Sequence, residues 1–211
     1  MPIRPILTFP DSLLRKRALP VNKIDNEIMH LIKDMKETLK EASGIGLAAN
    51  QVGVLKRVVV ISTPPEDDII AYINPEIINK YGTREVNEGC LSFPGYSGLV
   101  NRSISVTARY MDENGGKVKL TAEELLSQAL EHEIDHLNGI LFIDHLKEHE
   151  KLSKSTPEYR PHTHDVNLSV DIKDENRSND YNSKLYTKVG IDDFKIALER
   201  ADILKEIKEN D

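Results

Sequence analysis

Apolar residues recur every three or four positions after Asp25: Ile28, Ile32, Met35 and Leu39 mark one face of a helix. Asp25 is suited to cap its start and Gly44 to stop it. The next stretch, Gly44-Ile45-Gly46-Leu47-Ala48-Ala49-Asn50-Gln51, is rich in small residues and reads as a loop. Two β-branched runs, Arg57 to Thr63 and Ile69 to Ile73, flank Pro64-Pro65 and read as strands. From Ser103 to Tyr110 the residues Ile104, Val106, Ala108 and Tyr110 alternate with polar neighbours, the pattern of a half-buried strand. Asp112-Glu113-Asn114-Gly115-Gly116 is a hairpin turn into a short strand, Lys117 to Leu120. Thr121 and Glu124 have the spacing of a capping box, which predicts a helix running from there to Gly139. Its apolar residues, Leu125, Leu126, Ala129, Leu130, Ile134 and Leu137, wrap most of its surface, so it is expected to be buried. These elements predict an α+β fold, with antiparallel or mixed sheets packed around that central helix, rather than a doubly wound sheet.

Beyond Glu148 the pattern weakens. Residues 1–147 form the predicted working domain, 148–191 a polar extension, and 192–211 an amphipathic helix with Phe194, Leu198, Ala201, Leu204 and Ile207 on one face. Within the extension, Val166, Leu168, Val170 and Ile172 alternate as a short strand would. Residues 147–211 carry 12 Lys and Arg against 15 Asp and Glu, and the whole chain has a formal charge of −7. Neither figure favours nucleic acid or an anionic membrane as a partner. The first nineteen residues mix Pro, Arg, Lys and Asp among apolar residues, unlike a secretory signal, and no run is long enough to span a bilayer. A cytoplasmic protein without a membrane partner is the expectation.

Three residues of the second helix then change the picture. His132 and His136 are four apart, hence about 40° apart round the helix and one turn along it. With Glu133 between them they form an H-E-x-x-H pattern, in which two imidazoles hold one metal ion and the carboxylate handles the proton of a water. The His pair continues the inward stripe of Leu125 and Ala129, so both rings are expected to be buried and to need partners. The third ligand is open on spacing alone. Phe142 stands where one class of zinc hydrolases has a third His. Two candidates are Cys90, the chain's single cysteine, and a distant acid such as Glu158. Cys90 sits in Glu88-Gly89-Cys90-Leu91-Ser92-Phe93-Pro94-Gly95, where Gly and Pro permit sharp turns that present a thiolate and a free N–H.

Taken together, residues 44–51, 88–92 and 132–139 resemble the peptide deformylases of bacteria and organelles, in order and in spacing, over about residues 1–147. The resemblance implies an enzyme that removes the formyl group from N-formylmethionine at the start of new proteins and releases formate. It implies that Cys90, His132 and His136 hold one divalent ion, Fe(2+) natively, with Zn(2+), Ni(2+) or Co(2+) as substitutes. A metal-bound water would attack the formyl carbon with Glu133 as general base and then acid, while Gln51 and the Leu91 N–H would donate to the developing oxyanion. Gly44, Ile45, Gly46, Val86, Gly89, Leu125 and Ala129 are the expected substrate contacts, with Gly46 binding the substrate main chain. Glu88 and Arg102 are spaced to form a charge pair that braces the Cys90 segment, and Asp135 reads either as a supporting partner or as a surface acid.

The chain also departs from what the resemblance implies. Gly95-Tyr96-Ser97-Gly98 has no arginine where many relatives supply one, and residues 147–211 lack the basic character that would suit ribosome association. Gly44-x-Gly46-x-x-Ala49 superficially matches a dinucleotide fingerprint, but a helix rather than a strand precedes it, so no dinucleotide is expected. The competing readings are a zinc peptidase that needs no Cys90 and a degenerate homologue that only binds.

Overall fold

The computed structural model describes residues 3–62, 68–146 and 152–154. The strand expected at 166–172, the helix at 192–211 and Glu158 lie outside these residues. Helix α1 spans Asn26–Glu41, and the Asp25 carboxylate accepts from the Ile28 N–H at 3.1 Å, as the cap reading requires. Five strands then form one antiparallel sheet in the order β1-β2-β3-β6-β7: Gly46–Ala48, Val58–Ser62, Ile69–Tyr81, Ser105–Met111 and Lys117–Glu123. A second antiparallel sheet pairs β4 (Arg84–Cys90) with β5 (Phe93–Arg102), and β5 with β8 (Leu152–Lys154). Helix α2 spans Glu124–Leu137. The fold is α+β with antiparallel sheets and few helices, and β8 lies past residue 147 yet pairs with the second sheet.

Alternation along β2 explains the layering. Val58 and Val60 join a core with Ile28, Ile32, Met35 and Leu39 of α1, whereas Val59 and Ile61 join one with Ala129, Leu130 and Leu137 of α2. The larger sheet is thus covered by a helix on each face. A third cluster, built on Phe9, Phe93 and Phe142, fills the second sheet; Phe93 meets Phe142 edge-on with centroids 5.4 Å apart. Phe142, at the position of a possible third His, is a core residue.

Two expectations are corrected. Thr121 does not cap α2: it lies in β7 opposite Thr107, and the ladder runs on through Glu123 before the helix starts at Glu124. Cross-strand pairing supplies the Thr121 backbone with partners that a cap would have had to replace. The small-residue stretch is not a plain loop either. Gly46–Ala48 pairs with Val59–Ile61 as the terminal strand of the sheet, and Ala49–Val52 is a 3-10 turn.

Gly139 ends α2 as expected. It adopts φ +77°, its N–H donates to the His136 carbonyl, and the Ile140 N–H donates to the Asp135 carbonyl. A Cβ there would fall 2.4 Å from the Arg15 carbonyl oxygen. Gly139→Ala is therefore expected to lower the unfolding free energy by about 2–4 kcal/mol in a urea titration. Gly139→Asn, which tolerates the dihedral better, should recover little, because the backbone overlap remains.

Candidate active site

Strand β4 lies lengthwise along α2, and their spacings match. Alternate residues of a strand are about 6.7 Å apart, and residues four apart on a helix about 6 Å. Arg84, Val86, Glu88 and Cys90 share the inner face of β4. Along α2, Arg84 meets Glu124, Glu88 meets His132, and Cys90 meets His136. One strand face and one helix stripe thus bring 88, 90, 132 and 136 together.

At the inner end, the Cys90 Sγ, a His132 ring nitrogen and a His136 ring nitrogen all lie within 4.8 Å of one another. Cys90 Sγ is 3.1 Å from His136 Nε2. His132 Nδ1 is 2.5 Å from Glu88 Oε1, a bond that fixes the ring and turns Nε2 towards the sulfur. Glu88 is itself buried and held by both Arg102 Nε (2.9 Å) and Nη2 (2.7 Å), while Arg102 Nη1 donates to Asp135 at 2.6 Å. Asp135 also bonds His145 at 2.8 Å, so it is a buttress rather than a free surface acid.

Charges follow from these contacts. Burial acts to raise the Glu88 pKa, but His132 and Arg102 hold it well below the usual carboxylate range. Burial acts to lower the His132 pKa, but Glu88 and Cys90 drive it well above that of free imidazole. His136 is pushed well below by burial and by its neighbour His132. Glu133 is pushed up to about 7, chiefly by burial and against the pull of His132. Its Oε2 makes no hydrogen bond, and a Cβ on Gly46 would sit 2.2 Å from its Oε1. Gly46 is therefore needed to give the Glu133 carboxylate room.

Gln51 is fixed in the same way. The Ala48 N–H donates to Gln51 Oε1 at 2.7 Å, which forces the amide NH2 towards Ser92 Oγ (3.1 Å) and Cys90 Sγ (3.6 Å). Leu91 and Ser92 form the tight turn between β4 and β5, and the Ser92 N–H donates to Cys90 Sγ at 3.3 Å. The Leu91 side chain packs where a Cβ on Gly44 would lie, 2.8 Å away. Gly89 precedes Cys90 at the end of β4, opposite Ser97. Ile45 and Ala129 belong to the core beside α2, Val86 and Cys90 pack against the separate Phe9–Phe93–Phe142 cluster, and Leu125 is half-buried near the start of α2.

This arrangement supplies a compact sulfur–nitrogen donor set, a buried carboxylate with a raised pKa and an aimed amide donor. A family model described as polypeptide deformylase matches residues 3–152. The chain belongs to the peptide deformylase family. A peptide deformylase from Dehalococcoides mccartyi is 47% identical over 158 residues, covering 75% of this chain and 95% of the relative. The crystal structure of a peptide deformylase from Legionella pneumophila matches with a TM-score of 0.67 at 45% identity, covering 69% of this chain and 87% of that one. A Met-Ala-Ser-bound peptide deformylase from Acinetobacter baumannii matches with a TM-score of 0.66 at 31% identity, covering 69% and 99%. Peptide deformylases are metal-dependent hydrolases, and the Cys90, His132 and His136 group could hold an ion.

Sequence reasoning missed contacts that the structure supplies. Glu88 holds His132 as well as Arg102; Asn50 Nδ2 donates to the His136 carbonyl at 2.5 Å; and His145 bonds Asp135. Asn50 and Glu88 stand inside recognised segments, but nothing in their spacing names these partners. Removing Arg102 should leave the Glu88 charge buried and half-paired. Arg102→Ala is expected to lower stability by about 3–5 kcal/mol and to lower metal content with it, measured by urea titration and metal analysis on one preparation. Unchanged metal content would show that the brace does not support the ligands.

Proposed function

We propose that this chain removes the N-formyl group from formylmethionine at the start of nascent peptides and releases formate. The observation that carries the reading is the buried Glu133 carboxylate, whose Oε2 has no hydrogen-bond partner, beside the Cys90–His132–His136 donor set. A thiolate and two imidazoles fit Fe(2+), the metal favoured by family resemblance, and also Zn(2+), Ni(2+) or Co(2+). When bound, such an ion supplies Lewis acidity, polarising the formyl oxygen and acidifying water.

The chain's own groups do the rest. Glu133 takes the proton of the attacking water and later gives it to the departing amine; a carboxyl at about 7 suits both directions near neutral pH. Gln51 Nε2 donates to the developing oxyanion from a fixed amide plane, and the Leu91 N–H is the second donor. Gly44, Gly46 and Gly89 contact the substrate main chain in this reading, and β1, the terminal strand of its sheet, offers Gly46 for main-chain hydrogen bonds. Ile45, Val86, Leu125 and Ala129 receive the methionine side chain. The tripeptide bound by the A. baumannii relative, Met-Ala-Ser, is what deformylation of formyl-Met-Ala-Ser leaves.

Residues 1–147 carry the catalysis in this reading. Action on nascent chains places the enzyme in the cytoplasm, and the acidic 147–211 segment gives no electrostatic support for docking on ribosomal RNA. Among the described residues no helix is long and apolar enough to cross a membrane.

Anaerobically purified, metal-loaded protein is expected to release formate from formyl-Met-Ala-Ser. Glu133→Ala should reduce kcat by about 10³-fold or more while metal content stays near wild type. Gln51→Ala should reduce it by about 10²–10³-fold. Absence of formate from the loaded wild type would overturn the reading.

A further inference from the structure

Arg84 and Glu124 form the outer rung of the β4–α2 contact, at the end away from the metal ligands. Arg84 Nη1 donates to the Glu124 carboxylate and Nη2 to the Glu124 main-chain carbonyl, so one side chain grips both the tip and the backbone of its partner. Two further observations bear on this rung. Glu124 adopts φ +50°, a left-handed conformation that a side chain with a Cβ rarely takes, at the first residue of α2. Arg84 lies opposite Arg102 in the β4–β5 register, so two guanidinium groups share one face of the hairpin. Arg102 is neutralised by Glu88 and Asp135. Arg84 is neutralised by Glu124, while its Nε stays buried without a partner.

The rung adjoins two residues, Val86 and Leu125, that the deformylase reading assigns to the methionine side chain. Val86 is two residues from Arg84 on the same strand face, and Leu125 follows Glu124 directly. Further along, β4 and α2 are joined by Glu88 on His132, so Arg84–Glu124 is the side-chain contact between them at the opposite end. We propose that the Arg84–Glu124 pair is a positioning latch that sets the separation of β4 and the start of α2. It thereby sets which first-residue side chains the enzyme accepts. The proposal rests on the deformylase reading above. Neither residue touches the reacting atoms; both act through Val86 and Leu125.

The test uses full-length, metal-loaded protein with formyl-Met-Ala-Ser and formyl-Phe-Ala-Ser. In Arg84→Met and in Glu124→Gly, KM for the Met peptide should rise about fivefold with kcat within about twofold. The ratio of kcat/KM for Met over Phe should fall by a similar factor, because a widened pocket loses contact with the thinner chain and admits the ring. Glu124→Gly also relieves the backbone conformation, so its Tm should hold or rise while selectivity falls, a pairing that general destabilisation does not produce. Arg109→Ala, which breaks the exposed Arg109–Glu76 pair elsewhere, should change neither parameter. In the wild type, where Glu124 is largely exposed, raising salt from 0.05 to about 1 M should erode selectivity, and in Arg84→Met it should not. Wild type that releases no formate defeats the underlying reading. Wild type that releases formate, with selectivity and the KM–kcat split unmoved in both variants and in salt, defeats the latch alone.

Discussion

The Glu88 carboxylate is the contact on which the rest of the site depends. It is almost fully buried, a state that is strongly unfavourable for an isolated carboxylate, and it is tolerated because Arg102 binds it through two nitrogens and His132 through a third. That single group fixes the ring of one candidate ligand, ties β5 to β4 and ties β4 to α2. Because Cys90 is one alternation further along β4, and His136 one turn further along α2, fixing the Glu88–His132 rung also fixes the Cys90–His136 rung. The match between strand and helix spacing converts one buried charge pair into a whole donor set.

The larger sheet performs the complementary task. Its β2 strand is buried on both faces, between α1 and α2, which makes it a rigid support for β1. Gly46 on β1 leaves space for the Glu133 carboxylate, and the turn that follows places Gln51 with its amide plane set by the Ala48 N–H. The Glu133 carboxylate and the Gln51 amide therefore come from different elements, one from α2 and one from the turn after β1. The first is seated by packing against Gly46 and the second by a main-chain hydrogen bond.

Hydrophobic periodicity in the sequence reported what is apolar. Helix α1, β2, β6 and the Gly139 stop were legible because burial there is carried by Ile, Leu, Val and Met, and by a glycine at positive φ. Strand β4 was not legible. Its inner face reads Arg84, Val86, Glu88, Cys90, so its period-2 signal is written in charge and sulfur rather than in apolar side chains. The start of α2 was misread because Thr121 and Glu124 have capping-box spacing, whereas the cross-strand partner Thr107 claims Thr121. The Arg84–Glu124 and Arg102–Asp135 contacts join residues far apart in the chain, and no local pattern encodes them. Motif resemblance found the candidate ligands; the structure adds the lattice of charges between them.

The central claim is that β4 delivers Cys90 to the two histidines of α2. X-ray absorption on the metal-loaded protein tests it most directly. With zinc bound, the account predicts one sulfur at about 2.3 Å together with two imidazole nitrogens at about 2.0–2.1 Å, and loss of the sulfur in Cys90→Ala. A shell of nitrogen and oxygen alone in the wild type would contradict it.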